Sequence, residues 1–195
     1  METKSKRILS AEEALARKVA LGIIVRRPVN LWLQMIPGMF IMEYLKRGLE
    51  IRRVARVFMP PRHLAMKGAL SRIQGDLHQE SPGSLGDIGR SWLKSLNVYS
   101  ADTDQALTVL VRFLSDHYVK LLQAPGETCV DTLREVYAHR AGYKAHLSEL
   151  TQKELAFDQS ITGHPANRKA MRQMILEGQG VLAEQREKDV DALFL

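Results

Sequence analysis

The chain has a single cysteine, Cys129, among its 195 residues. An intramolecular disulfide is therefore excluded, no metal framework can rest on cysteine, and nothing calls for an oxidising compartment, so a cytoplasmic protein is expected. No stretch shows the alternation of β-branched residues that marks half-buried strands. There is no internal repeat and no low-complexity segment. The N-terminus is charged and its first apolar run, Val19 to Val25, is followed by no small-residue cleavage pattern, so no signal peptide is expected.

Apolar residues make up 45% of the chain and charged residues 26%, the balance of a cooperatively folding globular protein. Helical period dominates, and the expected fold is an all-α helical bundle. Ser10-Ala11-Glu12-Glu13 has the form of a capping box and predicts a first helix running to about Val25, stopped by Pro28. A second unit, residues 29–59, ends at Pro60-Pro61, and a shorter helix follows from about Arg62 to Gln79. Glu80-Ser81-Pro82-Gly83-Ser84-Leu85-Gly86 reads as a linker. It divides a basic N-terminal segment, residues 1–80, from a C-terminal helical bundle, residues 81–195.

In the second part a short helix is expected over about 85–96 and a long one over about 101–123. Leu107, Leu110, Val111, Leu114, Tyr118, Leu121 and Leu122 recur along the long one at spacings of three and four, with Val109 and Phe113 widening the stripe. Thr128-Cys129-Val130-Asp131 is a second capping box, opening a helix to roughly Gln159. A last helix from about Asn167 should turn Met171, Met174, Ile175 and Leu182 inward. Gly178 and Gly180 each weaken it by about 1 kcal/mol relative to alanine, so its second half is expected to fray.

The formal net charge of +6 conceals an asymmetry. Residues 1–72 carry 15 Lys and Arg against 5 Asp and Glu, whereas the remainder carries 13 against 17. A basic N-terminal third on an acidic remainder points to an anionic partner, lipid or nucleic acid.

The run from Val29 to Leu45 is seventeen residues long with one charge, Glu43. That is the lower limit for a span, which needs about 17–25 apolar residues. Both flanks are basic, with Arg26 and Arg27 before it and Lys46, Arg47, Arg52, Arg53 and Arg56 after it, which favours both ends remaining on one face of a membrane. Pro37-Gly38 breaks the run at its midpoint, and Trp32 and Tyr44 lie on either side of that break. The pattern predicts a helical hairpin inserted from one side through Trp32, Met35, Ile36, Pro37, Gly38, Phe40 and Tyr44, with the seven basic residues on anionic headgroups. Ile51, Val54, Ala55 and Phe58 then share one helix face and Arg52, Arg53 and Arg56 another, the pattern of a basic amphipathic helix in the headgroup plane. A buried, kinked helix of a soluble bundle fits the same apolar run.

Other patterns carry little chemistry. Glu135, His139, His146 and Glu149 share a stripe of one expected helix, but no second ligand-bearing helix accompanies them, and the stripe reads as a solvated face. Gly83, Gly86 and Gly89 match no phosphate-binding fingerprint. Cys129 falls on an apolar face and reads as a buried thiol. Arg62, His63 and His164 read as turn or cap residues beside prolines. The basic stretch has no aromatics interleaved for base stacking, and no helix-turn-helix or zinc-finger pattern appears. Asp191 to Leu195 is expected to pack on its own bundle rather than in a partner's groove.

These observations lead to the expectation of a membrane-associated, monotopic or peripheral helical binding or scaffolding protein at the cytoplasmic face, without a cofactor and with no catalytic site legible in the sequence; an enzyme whose site is assembled from distant residues is a further alternative. Its C-terminal bundle would serve as an interaction module for a protein partner. The alternative is a soluble helical protein that binds nucleic acid or an acidic protein.

Overall fold

Apolar residues spaced three and four apart give each segment one buried side, and the chain satisfies all of these sides by packing helix on helix. The structure, a computed structural model, describes the backbone of residues 2–26, 39–75, 82–163 and 169–194; side chains are described there except at residues 2, 26, 39–47, 50, 53, 82–84, 170 and 171. Among the described residues there are seven helices and no strand: α1 Glu2–Arg26, α2 Met39–Gln74, α3 Pro82–Ser95, α4 Ala101–Gln123, α5 Cys129–Tyr137, α6 Arg140–Thr162 and α7 Lys169–Phe194. The fold is the expected all-α bundle.

Helix α4 lies at its centre. Leu107, Leu110, Leu114, Tyr118, Leu121 and Leu122 are buried as their spacing predicts, while Val109 faces solvent. Ser100 caps the helix, its Oγ accepting from Thr103 N at 3.1 Å. Helices α2 and α6 flank α4, and α1 packs on α2 and α7. Ile23, Ala65, Leu114 and Ile175 belong to one apolar core, so residues on both sides of position 80 contribute to it.

Several boundaries differ from the sequence expectation. Helix α1 starts at Glu2, not Ser10. Ser5 and Ile8 are buried, and packing of that first stretch overrides the local capping signal. Pro60 and Pro61 lie inside α2, which runs for 36 residues without a break. The two rings remove the helix donors for the carbonyls of Arg56 and Val57, but Met59, Pro61, Leu64 and Ala65 are buried around them and hold the helix on course.

Residues 82–86 belong to α3 and not to a linker, with Pro82 in the first-turn position that tolerates its missing N–H. The helix expected from Thr128 to Gln159 is two. Thr128 caps α5 through the expected box, but the chain breaks at Ala138, whose φ of 43° lies outside the helical region, and restarts as α6. Helix α7 keeps its helical hydrogen bonding through Gly178 and Gly180 to Phe194. Its end is held by the bundle: Leu193 is buried, its carbonyl accepts from Arg134 Nε at 2.6 Å, and the Phe194 ring lies 6.1 Å from Tyr143.

Contacts fix the direction of the N-terminal helices. Glu12 of α1 meets Arg62 of α2, and Val19 and Ile23 line the same cavity as Val54 and Phe58, so α1 and α2 are antiparallel. Helices α1 and α7 are antiparallel as well, with Lys18 on Asp189 and Gly22 against Val181. At Gly22 there is no room for a side chain, since an added Cβ would stand 2.3 Å from Val181 Cγ1. Gly22→Ala is therefore expected to destabilise the fold despite the better helix propensity of alanine. Overpacking should outweigh the propensity gain by about 1–2 kcal/mol, and thermal denaturation should show Tm falling by a few degrees. Adding Val181→Ala to the same chain should recover most of the loss.

Candidate functional site

Few of the sequence-selected residues can be placed. Trp32, Met35, Ile36, Pro37, Gly38 and Arg27 lie outside the described residues, as do the side chains of Arg26, Phe40, Tyr44, Lys46, Arg47 and Arg53. Arg52 and Arg56 are both exposed on α2. The apolar stripe beside them has a different role from the one expected. Val54 is buried, and Ile51 and Val57 pack against the core. Phe58 lies under the Arg62 guanidinium, 3.3 Å from ring centroid to carbon. The stripe of this amphipathic helix is consumed by the bundle, and only its arginine face is open.

The antiparallel pairing of α1 and α2 has a second effect. With Ile23 level with Val54, Arg26 is level with about Ile51, and α2 begins twelve residues earlier, about 18 Å further along at 1.5 Å per residue. The described backbone on either side of residues 27–38 thus comes to the same end of the bundle. Four of the exposed apolar side chains gather there: Val25 at 80%, Leu176 at 56%, Leu49 at 52% and Leu21 at 49%. Leu176 belongs with them because Gly178 of α7 lies against Val19 and Ile23. These are the four highest exposures among the large apolar residues described. Among the described residues, no helix is long and apolar enough to cross a membrane.

The interior holds a charged cluster that sequence reasoning missed. Arg62, read as a turn residue, is 3% exposed. Its Nε donates to Glu12 Oε2 at 2.8 Å, its Nη2 to Glu154 Oε1 at 2.6 Å and its Nη1 to Phe58 O at 2.9 Å. Glu154 also accepts from Arg186, at 2.7 Å from Nη1 and 3.0 Å from Nη2, and Tyr118 Oη donates to Glu12 at 2.9 Å. Burial alone would lower the Arg62 pKa, but the Glu12 and Glu154 carboxylates outweigh it and hold the guanidinium above its ordinary value. Burial likewise opposes ionisation of Glu154, and the two arginines reverse it. Arg186 Nε is the one guanidinium nitrogen here without a partner. The signal available in sequence was the position of Glu154, in register with Leu150, Phe157 and Ile161 on the buried face of α6.

A second cluster lies beside the first. The His117 and His146 rings stack at 4.4 Å, with His117 Nδ1 2.7 Å from Tyr137 Oη, and Phe113 stacks on His146 at 5.1 Å. His146 does not lie on a solvated face as expected. The break at Ala138 separates it from Glu135 and His139, which remain exposed with Glu149, and turns it inward. His146 Nε2 is buried without a hydrogen-bond partner. Among the described residues no group of three or more His, Cys, Asp or Glu side chains is arranged to hold a metal ion.

The remaining candidates form no common site among the described residues. Cys129 is half-buried, and burial, aided by the charge of Glu12, raises its thiol pKa, the opposite of nucleophile activation. Gly86 and Gly89 are helical, and Gly89 lets α3 approach Leu107, whose Cδ2 would lie 3.1 Å from an added Cβ. His63 is exposed, and His164 lies outside the described residues.

Two tests follow from these clusters. Glu154→Ala leaves two guanidinium groups buried against each other and should cost about 3–5 kcal/mol in urea denaturation. The second concerns pH. Burial holds both imidazoles neutral, His117 well below 6.5 with help from His146 and Lys120, and His146 down to about 4 with Lys120 and Arg186 adding to the effect and Glu149 and Glu12 opposing it. The unfolded chain therefore binds more protons than the fold below pH 6.5. Stability from this pair should be complete above pH 6.5 and lost as the pH falls toward 4, and His146→Phe should flatten that part of the curve.

No family model, curated protein or solved structure matches the chain, so the functional reading rests on its own residues.

Proposed function

We propose that the chain is a helical binding or scaffolding protein held at the cytoplasmic face of a membrane by the end of the bundle where α1 stops and α2 starts. The observation that carries this reading is the grouping there of Leu21, Val25, Leu49 and Leu176 with the exposed Arg52 and Arg56. Apolar side chains in solvent beside cationic ones suit an interface that is anionic at its surface and apolar beneath.

The antiparallel course of α1 and α2 supports insertion from one side, because the chain on both sides of residues 27–38 comes to the same end. The apolar residues 29–45 supply the inserted segment, with Trp32, Met35, Ile36, Phe40 and Tyr44 in contact with acyl chains and Pro37-Gly38 at the turn. Arg26, Arg27, Lys46, Arg47, Arg52, Arg53 and Arg56 meet headgroups. Ile51, Val54 and Phe58 take no part in this contact, since the bundle already uses them. The rest of the bundle remains available to a protein partner.

Vesicle flotation tests the reading. The chain should float with vesicles containing anionic lipid at low salt, much less with purely zwitterionic ones, and progressively less as salt is added. Arg52→Ala with Arg56→Ala should weaken binding about 30-fold, from about 1 kcal/mol per arginine. Leu49→Ser with Val25→Ser should weaken it further without loss of helix content. A chain that stays in the soluble fraction with anionic vesicles at low salt, yet binds duplex oligonucleotide, would replace this proposal with nucleic-acid binding.

A further inference from the structure

Helices α1, α2, α4, α6 and α7 do not close completely on one another. Between them lies a half-open cavity of about 90 Å³, several times the roughly 10–15 Å³ that one water needs. Apolar side chains supply most of its wall, Val19, Ile23, Val54, Phe157, Met174 and Ile175 among them. Gly178 leaves α7 without a side chain on this wall, and an added Cβ would stand at ordinary contact distance, 3.6 Å, from Ile23 Cδ1. An apolar wall of this size excludes neither a hydrocarbon chain nor an aromatic ring.

Charge narrows the choice. The cavity wall also contains Arg62, Glu154 and Asp158. Arg62 and Glu154 are bound to each other and to Glu12 and Arg186. Asp158 is different. Its Oδ2 accepts from Gln179 Nε2 at 2.9 Å, a neutral donor, and among the described residues no ion pair reaches it. In the bonded cluster two carboxylates, Glu12 and Glu154, face two guanidinium groups, Arg62 and Arg186, and Asp158 on the apolar wall stands outside that pairing. A carboxylate so placed is partly withdrawn from water and, among the described residues, has no direct ion-pair partner.

We propose that this cavity binds a small primary ammonium compound, with its charged nitrogen on Asp158 and the inner part of an alkyl body of about six carbons against Val19, Ile23, Val54 and Met174; a closed cavity of about 150 Å³ takes a six-carbon ring, so the outer carbons lie in the open mouth of this smaller one. The ammonium supplies the missing countercharge and the alkyl body removes apolar wall from water. The behaviour of Asp158 agrees with an unfilled need for a cation: burial, with Glu154 adding to it and Gln179 and Arg62 opposing it, pushes the carboxyl up to about 6. Arg62 and Glu154, the other titratable groups on the wall, keep their charges through that range. Binding of an amine should therefore weaken as the pH falls through 6, where Asp158 takes up a proton while the amine keeps its own.

The experiment is calorimetric titration of the full chain with n-hexylamine, n-hexanol and hexanoate at pH 7.5 and pH 5. At pH 7.5 hexylamine should bind at least tenfold more tightly than hexanol, with hexanoate weakest, and that preference should fall about tenfold at pH 5. Asp158→Asn should remove the preference and keep the binding of hexanol, and Gly178→Leu, which fills the cavity, should abolish both. The ligand and pH series on the unaltered chain decides the question even if a variant fails to fold. Equal binding of amine and alcohol at pH 7.5, tighter binding of hexanoate, or no saturable binding of any of the three would overturn the proposal.

Discussion

The bundle depends on Arg62. A guanidinium ion in an apolar interior is costly unless every donor finds an acceptor, and each acceptor here comes with a helix attached. Glu12 draws in α1, Glu154 draws in α6, and through Glu154 the side chain of Arg186 draws in α7. Tyr118 adds α4 by donating to Glu12. Five helices are thereby set in one rotation and one register. Apolar packing alone tolerates sliding by a turn; this cluster does not, because a one-turn shift would strand a charge.

Such a cluster specifies more than it stabilises. Replacing all its members with apolar residues of similar volume is often neutral or better for stability, whereas removing one member is damaging. The adjacent cavity shows what the arrangement leaves behind. Where Arg62 and Glu154 neutralise each other, the interior is closed electrostatically. One turn further along α6, Asp158 lies on the wall of a space that the surrounding side chains do not fill.

The fold class was legible in the sequence because helical period is a property of short windows, and the stripe of α4 and the capping box of Thr128 depend on nothing outside them. Boundaries were harder wherever a distant contact outweighs a local signal. Ser10 has the right neighbours for a cap, yet Ile8 has a place in the core and the helix starts before it. Pro60 and Pro61 ought to end a helix, yet Pro61 is buried in the bundle and Pro60 half-buried, on a stretch that also carries Arg62. Ala138 breaks a run that reads as continuous, because the turn there brings His146 and Tyr137 together with His117 of α4. The arginine face of residues 52–56 was legible, but the destination of Ile51, Val54 and Phe58 was not: an apolar stripe in a sequence does not say whether protein or lipid will cover it. The charged interior was the least legible part, since Glu12, Arg62, Glu154 and Arg186 are far apart in sequence and each alone resembles a surface residue.

The unbroken course of α2 gives the molecule a fixed internal length. Its 36 residues make a rod of about 54 Å. Exposed Arg52 and Arg56 lie just before its middle, the Arg62 cluster lies just past it, and Arg72 near its C-terminal end pairs with Asp116 of α4. A helix that stopped at Pro60 would have left a hinge between its two parts. Because it continues, the arginine-bearing stretch and the bundle move as one body: the Asp158 cavity, walled by Val54 and Val57, lies beside the exposed arginines, and the rod fixes how far Arg72 and its partner Asp116 stand from whatever surface those arginines meet.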